Sequence, residues 1–136
     1  MQLPGTYSGD WVVVLDSNII IDLIRQKKGA LAILEKYSDK GRIATTAINR
    51  YEILRGDMHG LEKELVAELL GKFLIYDLDE SAINAAATMY RKLSESGRMI
   101  NELDLLIAGI SAANNEVLIT RDRDFSKLGS DSIEIK

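Results

Sequence analysis

Short apolar runs alternate along this chain with longer segments in which apolar residues recur every three or four positions. The short runs are rich in β-branched residues and predict buried strands at 11–15, 42–46, 73–76 and 116–119, with a fifth, edge strand at 132–135. The longer segments predict helices, at 19–24, 29–37, 47–55, 61–70, 82–93 and 103–110. Strands that alternate with helices predict an α/β fold, a three-layer α/β/α sandwich around a largely parallel sheet.

The length and composition are those of one globular domain. The 136 residues are expected to form a single unit, 1–136, in which residues 1–10 are an N-terminal extension of unknown role. No apolar run is long enough to span a membrane, and residues 1–10 hold no Lys or Arg, so neither an anchor nor a signal peptide is expected. The chain has no cysteine, which excludes disulfides and thiolate chemistry and favours a reducing cytoplasm as its location.

The acidic charge balance restricts how this chain can interact with a nucleic acid. Its formal net charge is −4, from 21 acidic and 17 basic residues. A protein that holds nucleic acid by bulk electrostatics is usually basic, so that class is disfavoured. An enzyme that acts on nucleic acid through metal ions stays compatible with the charge, because its carboxylate ligands contribute to the negative count.

Acidic residues lie where a parallel sheet binds its ligands, beyond the carboxyl ends of the strands. Asp16 closes the first strand, and Asp122 follows the fourth strand by three residues. Asp104 lies in the first turn of a helix for which Asn101 is the expected cap. Glu52 lies on the helix after the second strand, at the margin of its apolar stripe. That stripe is predicted to comprise Ala47, Ile48, Tyr51 and Leu54.

Four carboxylates that point at one place repel one another and call for a cation. Hard oxygen ligands, a single histidine in a polar loop and no cysteine favour Mg²⁺ or Mn²⁺ over zinc or copper. Such an ion, with its bound waters, suits the hydrolysis of a phosphodiester. The catalytic and metal-binding residues expected are Asp16, Glu52, Asp104 and Asp122.

Each of these acids also has a purely structural interpretation. Asp16 can cap the helix that follows it, and Asp104 is favourable near a helix N-terminus. Glu52 can be a solvated residue, and Asp122 with Asp124 can form a turn. For any one residue both interpretations stay open. For the set, a shared site is favoured, since independent caps have no reason to share one edge of a sheet.

Four short motifs carry a family resemblance. They are Asp16-Ser17-Asn18 after an apolar strand, Tyr51-Glu-Ile-Leu54, Asp104-Leu-Leu-Ile-Ala108 and Thr120-Arg-Asp-Arg-Asp-Phe125. In this order and spacing the chain resembles the PIN-domain nucleases, and among them it is most similar to the VapC-type toxins of prokaryotic toxin–antitoxin pairs. The resemblance spans 12–125, which is nearly the whole sequence.

The resemblance implies a parallel sheet between helices, Mg²⁺ or Mn²⁺ as cofactor, and endonucleolytic cleavage of RNA. By motif match, Asp16 and Asp104 are the principal metal ligands, and Glu52 holds a metal, its water or both. Asp122 completes the cluster, with Asp124 as its competitor for the fourth position. The supporting polar residues implied are Asn18, Thr46 and Thr120.

Two protein partners are also implied by the resemblance, a small antitoxin and a second copy of the chain. A homodimer is favoured independently by the alanine-rich helix that contains Met89 and Tyr90. This helix has more apolar positions than one sheet-facing stripe needs.

Other functions fit parts of the pattern. A phosphatase of the haloacid-dehalogenase type needs a second acid two residues after Asp16, where this chain has Asn18. A receiver domain needs an acidic pair after the first strand and a lysine after the last, and neither is visible. The remaining alternative is a catalytically weak PIN-like scaffold that binds RNA or protein without cutting. The presence of all four acids counts against it.

Overall fold

Five parallel strands form one sheet in the computed structural model, which describes residues 12–38 and 42–136. The strands are β1 (Val12–Leu15), β2 (Arg42–Thr46), β3 (Leu74–Tyr76), β4 (Val117–Thr120) and β5 (Ile133–Ile135). Their order across the sheet is β3-β2-β1-β4-β5, and each adjacent pair runs parallel. The expected fold class is confirmed. The N-terminal extension and Trp11, which was expected to begin the first strand, lie outside the described residues.

Helices connect the strands and agree with the predicted ones to within a few residues at each end. They are α1 (Ser17–Ile24), α2 (Lys28–Ser38), α3 (Ala47–Leu54), α4 (Gly60–Lys72), α5 (Glu80–Glu95) and α6 (Glu102–Ala113). A 3-10 helix, Arg123–Leu128, follows β4. No helix in the described part of the chain is long and apolar enough to cross a membrane.

Strand β1 lies at the centre of the sheet and is buried on both faces. Its Val13 and Leu15 belong to one apolar cluster with Ile19 and Ile20 of α1. Val12 and Val14 belong to another, which includes residues of α6, β4 and the 3-10 helix. Burial on both faces explains why this strand is a continuous apolar run instead of an alternating pattern. It also fixes the position of the residue that follows, Asp16.

Helix α3 packs through a different face from the one its apolar pattern indicates. The predicted stripe of Ala47, Ile48, Tyr51 and Leu54 is wrong for two members, since Tyr51 and Leu54 are 54% and 53% exposed. The buried residues are Ile53 and Asn49. A polar residue can take the inner position here because Asn49 finds hydrogen-bond partners at the end of β1.

Helices α5 and α6 approach each other closely at Gly109. A Cβ atom added at Gly109 would lie 2.7 Å from the carbonyl oxygen of Ala82 and 2.8 Å from the Cβ of Ala86. The small residues on both helices are what allow this contact, because interiors at native packing density leave no room for an extra methyl group.

We therefore predict that Gly109→Ala lowers the free energy of unfolding, by about 1–3 kcal/mol, because the added methyl group overpacks the contact between α5 and α6. The matched control is Gly71→Ala in α4, where an added Cβ has no heavy atom within 4 Å. There the better helix propensity of alanine should leave stability unchanged or raise it slightly. Urea denaturation of both variants measures the difference, and equal stability would contradict the close contact.

Candidate metal centre

Three adjacent strands end in polar residues at one edge of the sheet. Asp16 follows β1, while Thr46 and Thr120 are the last residues of β2 and β4. The backbone N–H of Asp16 donates to the carbonyl oxygen of Ile119 at 3.0 Å, so the strand pairing continues up to the acid. Parallel pairing therefore brings these polar residues together, as the sequence predicted.

The Asp16 carboxylate is almost completely buried, and within residues 12–38 and 42–136 it accepts hydrogen bonds only from neutral groups. The exposed fraction of Asp16 is 4%. The Thr120 hydroxyl donates to Oδ2 at 2.6 Å, and the Asn49 amide donates to Oδ1 at 2.8 Å. Ser17 N–H and the Asn18 amide add bonds of 2.9 and 3.3 Å. Burial raises the pKa of the Asp16 carboxyl, although these hydrogen bonds act to lower it.

Asp16 is also the N-cap of α1, as its structural interpretation proposed. The bond from Ser17 N–H is that cap. Together with the bonds from Thr120, Asn49 and Asn18, this cap fills the roughly four acceptor positions of the carboxylate. A metal ion bound to Asp16 would therefore have to replace one of these bonds, and the bond from Asn18 is the longest, at 3.3 Å.

Asn49 and Ser17 connect Asp16 to Glu52, and neither was recognised as a site residue from the sequence. The Asn49 amide donates to Asp16 and, at 2.9 Å, to the Ser17 hydroxyl oxygen. The Ser17 hydroxyl in turn donates to Glu52 Oε1 at 2.8 Å. The two N–H groups of the Asn49 amide and the Ser17 hydroxyl each have one acceptor, so this chain of hydrogen bonds orients one oxygen of each acid.

Thr46 extends this chain of hydrogen bonds through its contacts with Asn49. Its hydroxyl donates to Asn49 Oδ1 at 2.8 Å and accepts from the Asn49 N–H at 3.1 Å. The second bond is the N-cap of α3. Thr46 therefore orients the Asn49 amide and reaches Asp16 only through it.

Asn18 and Thr120 connect α1 to the segment that carries Asp122. The Asn18 amide donates to Thr120 Oγ1 at 3.3 Å, and its carbonyl oxygen accepts from Arg121 N–H at 3.1 Å. Thr120 Oγ1 accepts from the Asp122 N–H at 3.0 Å. Both residues thus lie in supporting positions around Asp16.

Asp104 is the acid most affected by its neighbours. Asn101 caps α6 as expected, which leaves Asp104 in the first turn of that helix. The pKa of the Asp104 carboxyl is raised to about 7, first by burial and then by four nearby carboxylates, those of Asp16, Asp122, Glu52 and Asp124. The acids predicted from four separate segments therefore act on one another electrostatically.

Asp122 and Asp124 differ in their surroundings. Asp122 is half-buried and its negative charge acts on both Asp16 and Asp104. Its Oδ1 also accepts from the Asp124 N–H at 2.9 Å and so caps the 3-10 helix. Asp124 is exposed and its carboxylate lies 3.4 Å from Lys127 Nζ. This difference favours Asp122 as the fourth member of the cluster.

The four acids have no cationic partner within the described residues, 12–38 and 42–136. The ion pairs found there all involve other carboxylates. The chain's one histidine, His59, is exposed and pairs with Asp57. One buried and three half-buried carboxylates without a basic partner match the oxygen ligands that Mg²⁺ and Mn²⁺ prefer. The chemistry of these residues therefore fits a divalent cation.

The same described residues contain no three acidic or histidine side chains gathered closely enough to form a complete set of metal ligands. Carboxylates repel one another and approach to ligand distances where a cation or a shared proton offsets that repulsion. The structure thus brings the four acids into one electrostatic cluster and leaves their assignment as metal ligands a prediction.

Comparison with known proteins identifies the family. The family model of the PIN domain matches residues 13–130. Ribonuclease VapC5 of Mycobacterium tuberculosis is 32% identical over 101 residues, which cover 69% of this chain and 75% of the relative. Ribonuclease VapC1 of Methanocaldococcus jannaschii is 23% identical over 111 residues, with 82% and 76% covered.

A solved structure from the same group of proteins has a similar fold. VapBC-5 of M. tuberculosis, a member of the VapBC family of toxin–antitoxin systems, superposes with a TM-score of 0.71 at 28% identity, over 93% of this chain and 98% of that one. The chain therefore belongs to the PIN-domain family. Within that family its similarity to the two ribonucleases places it with the VapC type.

We predict that Asp104 makes the protein less stable at high pH when chelator is present. Its folded pKa of about 7 lies above the usual 3.8, so the unfolded chain binds fewer protons between these values and the free energy of unfolding falls as pH rises through that window. Asp104→Asn should remove this fall and raise the melting temperature at pH 8 by a few degrees, on the order expected for one or two kcal/mol. At pH 4 or below it should have little effect.

The control for this measurement is Asp131→Asn, which changes an exposed carboxylate in the turn before β5. It should keep the wild-type dependence of melting temperature on pH. A parallel pH dependence in wild type and Asp104→Asn would contradict the electrostatic cluster.

Proposed function

We propose that this protein is a divalent-metal-dependent endoribonuclease that acts as the toxin of a type II toxin–antitoxin pair. The observation that carries the proposal is the buried Asp16 carboxylate, which interacts electrostatically with Asp104 and Asp122 and is neutralised by no basic side chain among the described residues. Asn49 and Ser17 link it by hydrogen bonds to a third acid, Glu52. Similarity to two VapC ribonucleases supports RNA as the substrate. The acidic net charge makes metal-bridged phosphate contacts more important than a broad basic surface.

The proposed roles of the acids are those that the resemblance to the PIN-domain nucleases implies. Asp16 and Asp104 are the principal metal ligands, with Asp122 and Glu52 completing the set. When bound, Mg²⁺ or Mn²⁺ supplies Lewis acidity that stabilises negative charge developing on the phosphate and activates water. Glu52 Oε1 accepts from the Ser17 hydroxyl, and Oε2 has no hydrogen bond among the described residues, so it is the oxygen proposed to bind a metal ion or its water.

The neutral residues around Asp16 position it. Thr120, Asn49 and Asn18 hold its two oxygens without neutralising their charge. Hydrogen bonds of this kind keep a ligand carboxylate in one orientation, and their loss in metal sites commonly reduces affinity or activity 10–100-fold. Thr46 contributes by fixing Asn49.

An antitoxin is the proposed protein partner, because solved neighbours of this fold are VapBC toxin–antitoxin complexes. We expect it to place a basic side chain among the acids, where it competes with the cation. Inhibition should then weaken in excess Mn²⁺. The cytoplasm, where such a pair meets cellular RNA, is the proposed location.

Purified protein freed of any partner should cleave single-stranded RNA in Mg²⁺ or Mn²⁺ and lose this activity in chelator. Asp104→Asn should reduce the rate by at least about 100-fold, since it removes a principal ligand. Asp131→Asn serves as the matched control and should cleave like wild type. Gel analysis of defined RNAs measures the rates.

Intact RNA across full titrations of both metals would refute this proposal and favour the scaffold alternative. Activity that survives Asp104→Asn would come from a contaminating ribonuclease. In the same assay, Asp122→Ala should lose more activity than Asp124→Ala, because only Asp122 acts on both Asp16 and Asp104.

We also propose that the protein forms a homodimer through α5. Ile83 and Tyr90 are 50% and 43% exposed, and their spacing of seven residues puts them on one face of this helix. A stable dimer should bury at least about 1,000 Å² in total. This face of α5 therefore exposes apolar surface on the helix whose sequence pattern favours a homodimer.

Light scattering should give the mass of a dimer at micromolar concentration. Tyr90→Glu should shift the protein toward monomer, because it places a charge in the apolar interface. Leu61→Glu, at a position 69% exposed on α4, is the control and should stay dimeric. A monomeric wild type at this concentration would contradict the proposal.

A further inference from the structure

An ion pair joins the segment that carries Asp122 to helix α1. Arg121 donates from Nε to Asp22 Oδ2 at 2.7 Å and from Nη2 to Asp22 Oδ1 at 3.2 Å. Lys27 Nζ lies 3.7 Å from the same carboxylate. Asp22 and Arg121 are 99 positions apart in the sequence, so the contact fixes two distant segments relative to each other.

The two hydrogen bonds of this ion pair restrict the relative orientation of the Arg121 and Asp22 side chains. The Asp22 side chain is 8% exposed and both its oxygens are occupied by the planar guanidinium, whose side chain is 49% exposed. Two parallel hydrogen bonds between a carboxylate and an arginine define direction as well as distance. A lysine at the same position would keep the charge and lose that definition.

The backbone of Arg121 is held from the same helix. Its N–H donates to Asn18 Oδ1, and the next N–H, that of Asp122, donates to Thr120 Oγ1. Thr120 Oγ1 in turn donates to Asp16. Side chain and backbone together therefore tie residues 120–122 to α1, the helix that Asp16 caps.

We propose that the Asp22–Arg121 pair positions the acidic site by holding Asp122 at a fixed place relative to Asp16 and Asp104. Arg121 acts through Asp122 and is a positioning residue. The inference rests on the proposed function, because a fixed position of Asp122 matters only if Asp122 takes part in metal binding and catalysis.

A competing role for Arg121 is direct contact with a phosphate of the RNA. Arg121, Lys27 and Lys136 line a cavity of about 330 Å³ beside α1. The variant Asp22→Asn distinguishes the two roles. Loss of the Asp22 charge would release Arg121 and strengthen phosphate binding, whereas a positioning role requires Asp22 to stay charged.

The experiment compares four variants of the full chain with wild type, at a temperature below every melting transition. They are Arg121→Ala, Arg121→Lys, Asp22→Asn and the control Arg123→Ala, which removes the same charge from the other side of Asp122. Arg123 has no side-chain hydrogen bond or ion pair within the described residues, 12–38 and 42–136. The readouts are Mn²⁺ affinity by calorimetry, kcat and KM on a short single-stranded RNA, and amide exchange of residues 121–125.

Arg121→Ala and Asp22→Asn should each lower Mn²⁺ affinity and kcat by roughly 10–100-fold, as other residues that orient metal ligands do, with little change in KM. Amide exchange of residues 121–125 should become faster in both. Arg121→Lys should give intermediate values, and Arg123→Ala should match wild type in kcat and Mn²⁺ affinity.

Two results would overturn the inference. Faster amide exchange with unchanged kcat and Mn²⁺ affinity would reduce the pair to a structural contact. A lower KM with unchanged kcat in Asp22→Asn would assign Arg121 to the phosphate instead. Wild-type protein that binds Mn²⁺ and cuts no RNA would count against the proposed function alone, since Mn²⁺ affinity and amide exchange still decide the positioning role.

Discussion

Among the residues that the structure describes, only dipoles compensate the buried charge of Asp16, and the surrounding site is organised by that constraint. A carboxylate removed from water has to be satisfied by hydrogen bonds, because an unsatisfied buried acceptor costs about 1–3 kcal/mol and a charged one more. Here the donors come from the start of α1, from α3 and from the end of β4. Asp16 therefore ties together the three segments that also carry Glu52 and Asp122.

Asp22, a second buried aspartate, lies on α1 and shows another way to stabilise a buried carboxylate. Asp22 is nearly as buried as Asp16 and is paired with two cations, Arg121 and Lys27. Its charge is already neutralised within the protein, so it has no use for a metal ion. Asp16 has no basic partner among the described residues and interacts electrostatically with Asp104 and Asp122, which is the condition that attracts a divalent cation.

Most of the fold and the location of the acids could be predicted from sequence patterns. A continuous apolar run gave the central strand, helical periodicity gave the helices, and parallel topology put the residues after β1 and β4 at one edge. Each of these inferences uses signals within a few residues of one another, or a general rule of chain topology.

What the patterns missed depends on contacts between distant segments. Asn49 can be buried because its amide has partners in distant segments, including Asp16, 33 positions away. Apolar periodicity instead favoured Tyr51 and Leu54, which are exposed. The pairing of Asp22 with Arg121 has no local signal either. The one available clue was the spacing of Asn49 and Ile53, four residues apart on one face of α3.

Asp16, Asp104 and Asp122 are proposed to hold a divalent cation, and no basic residue in the described segments neutralises them. Anomalous diffraction from crystals grown with Mn²⁺ tests this proposal most directly, because it locates the ion without any assay of activity. The account predicts an anomalous peak at about 2.0–2.4 Å from carboxylate oxygens of Asp16 and Asp104, the range of hard divalent ions with oxygen ligands. It also predicts that the bonds from Thr120 and Asn49 to Asp16 stay in place. A peak only at other residues, or none in millimolar Mn²⁺ with the acids accessible, would contradict it.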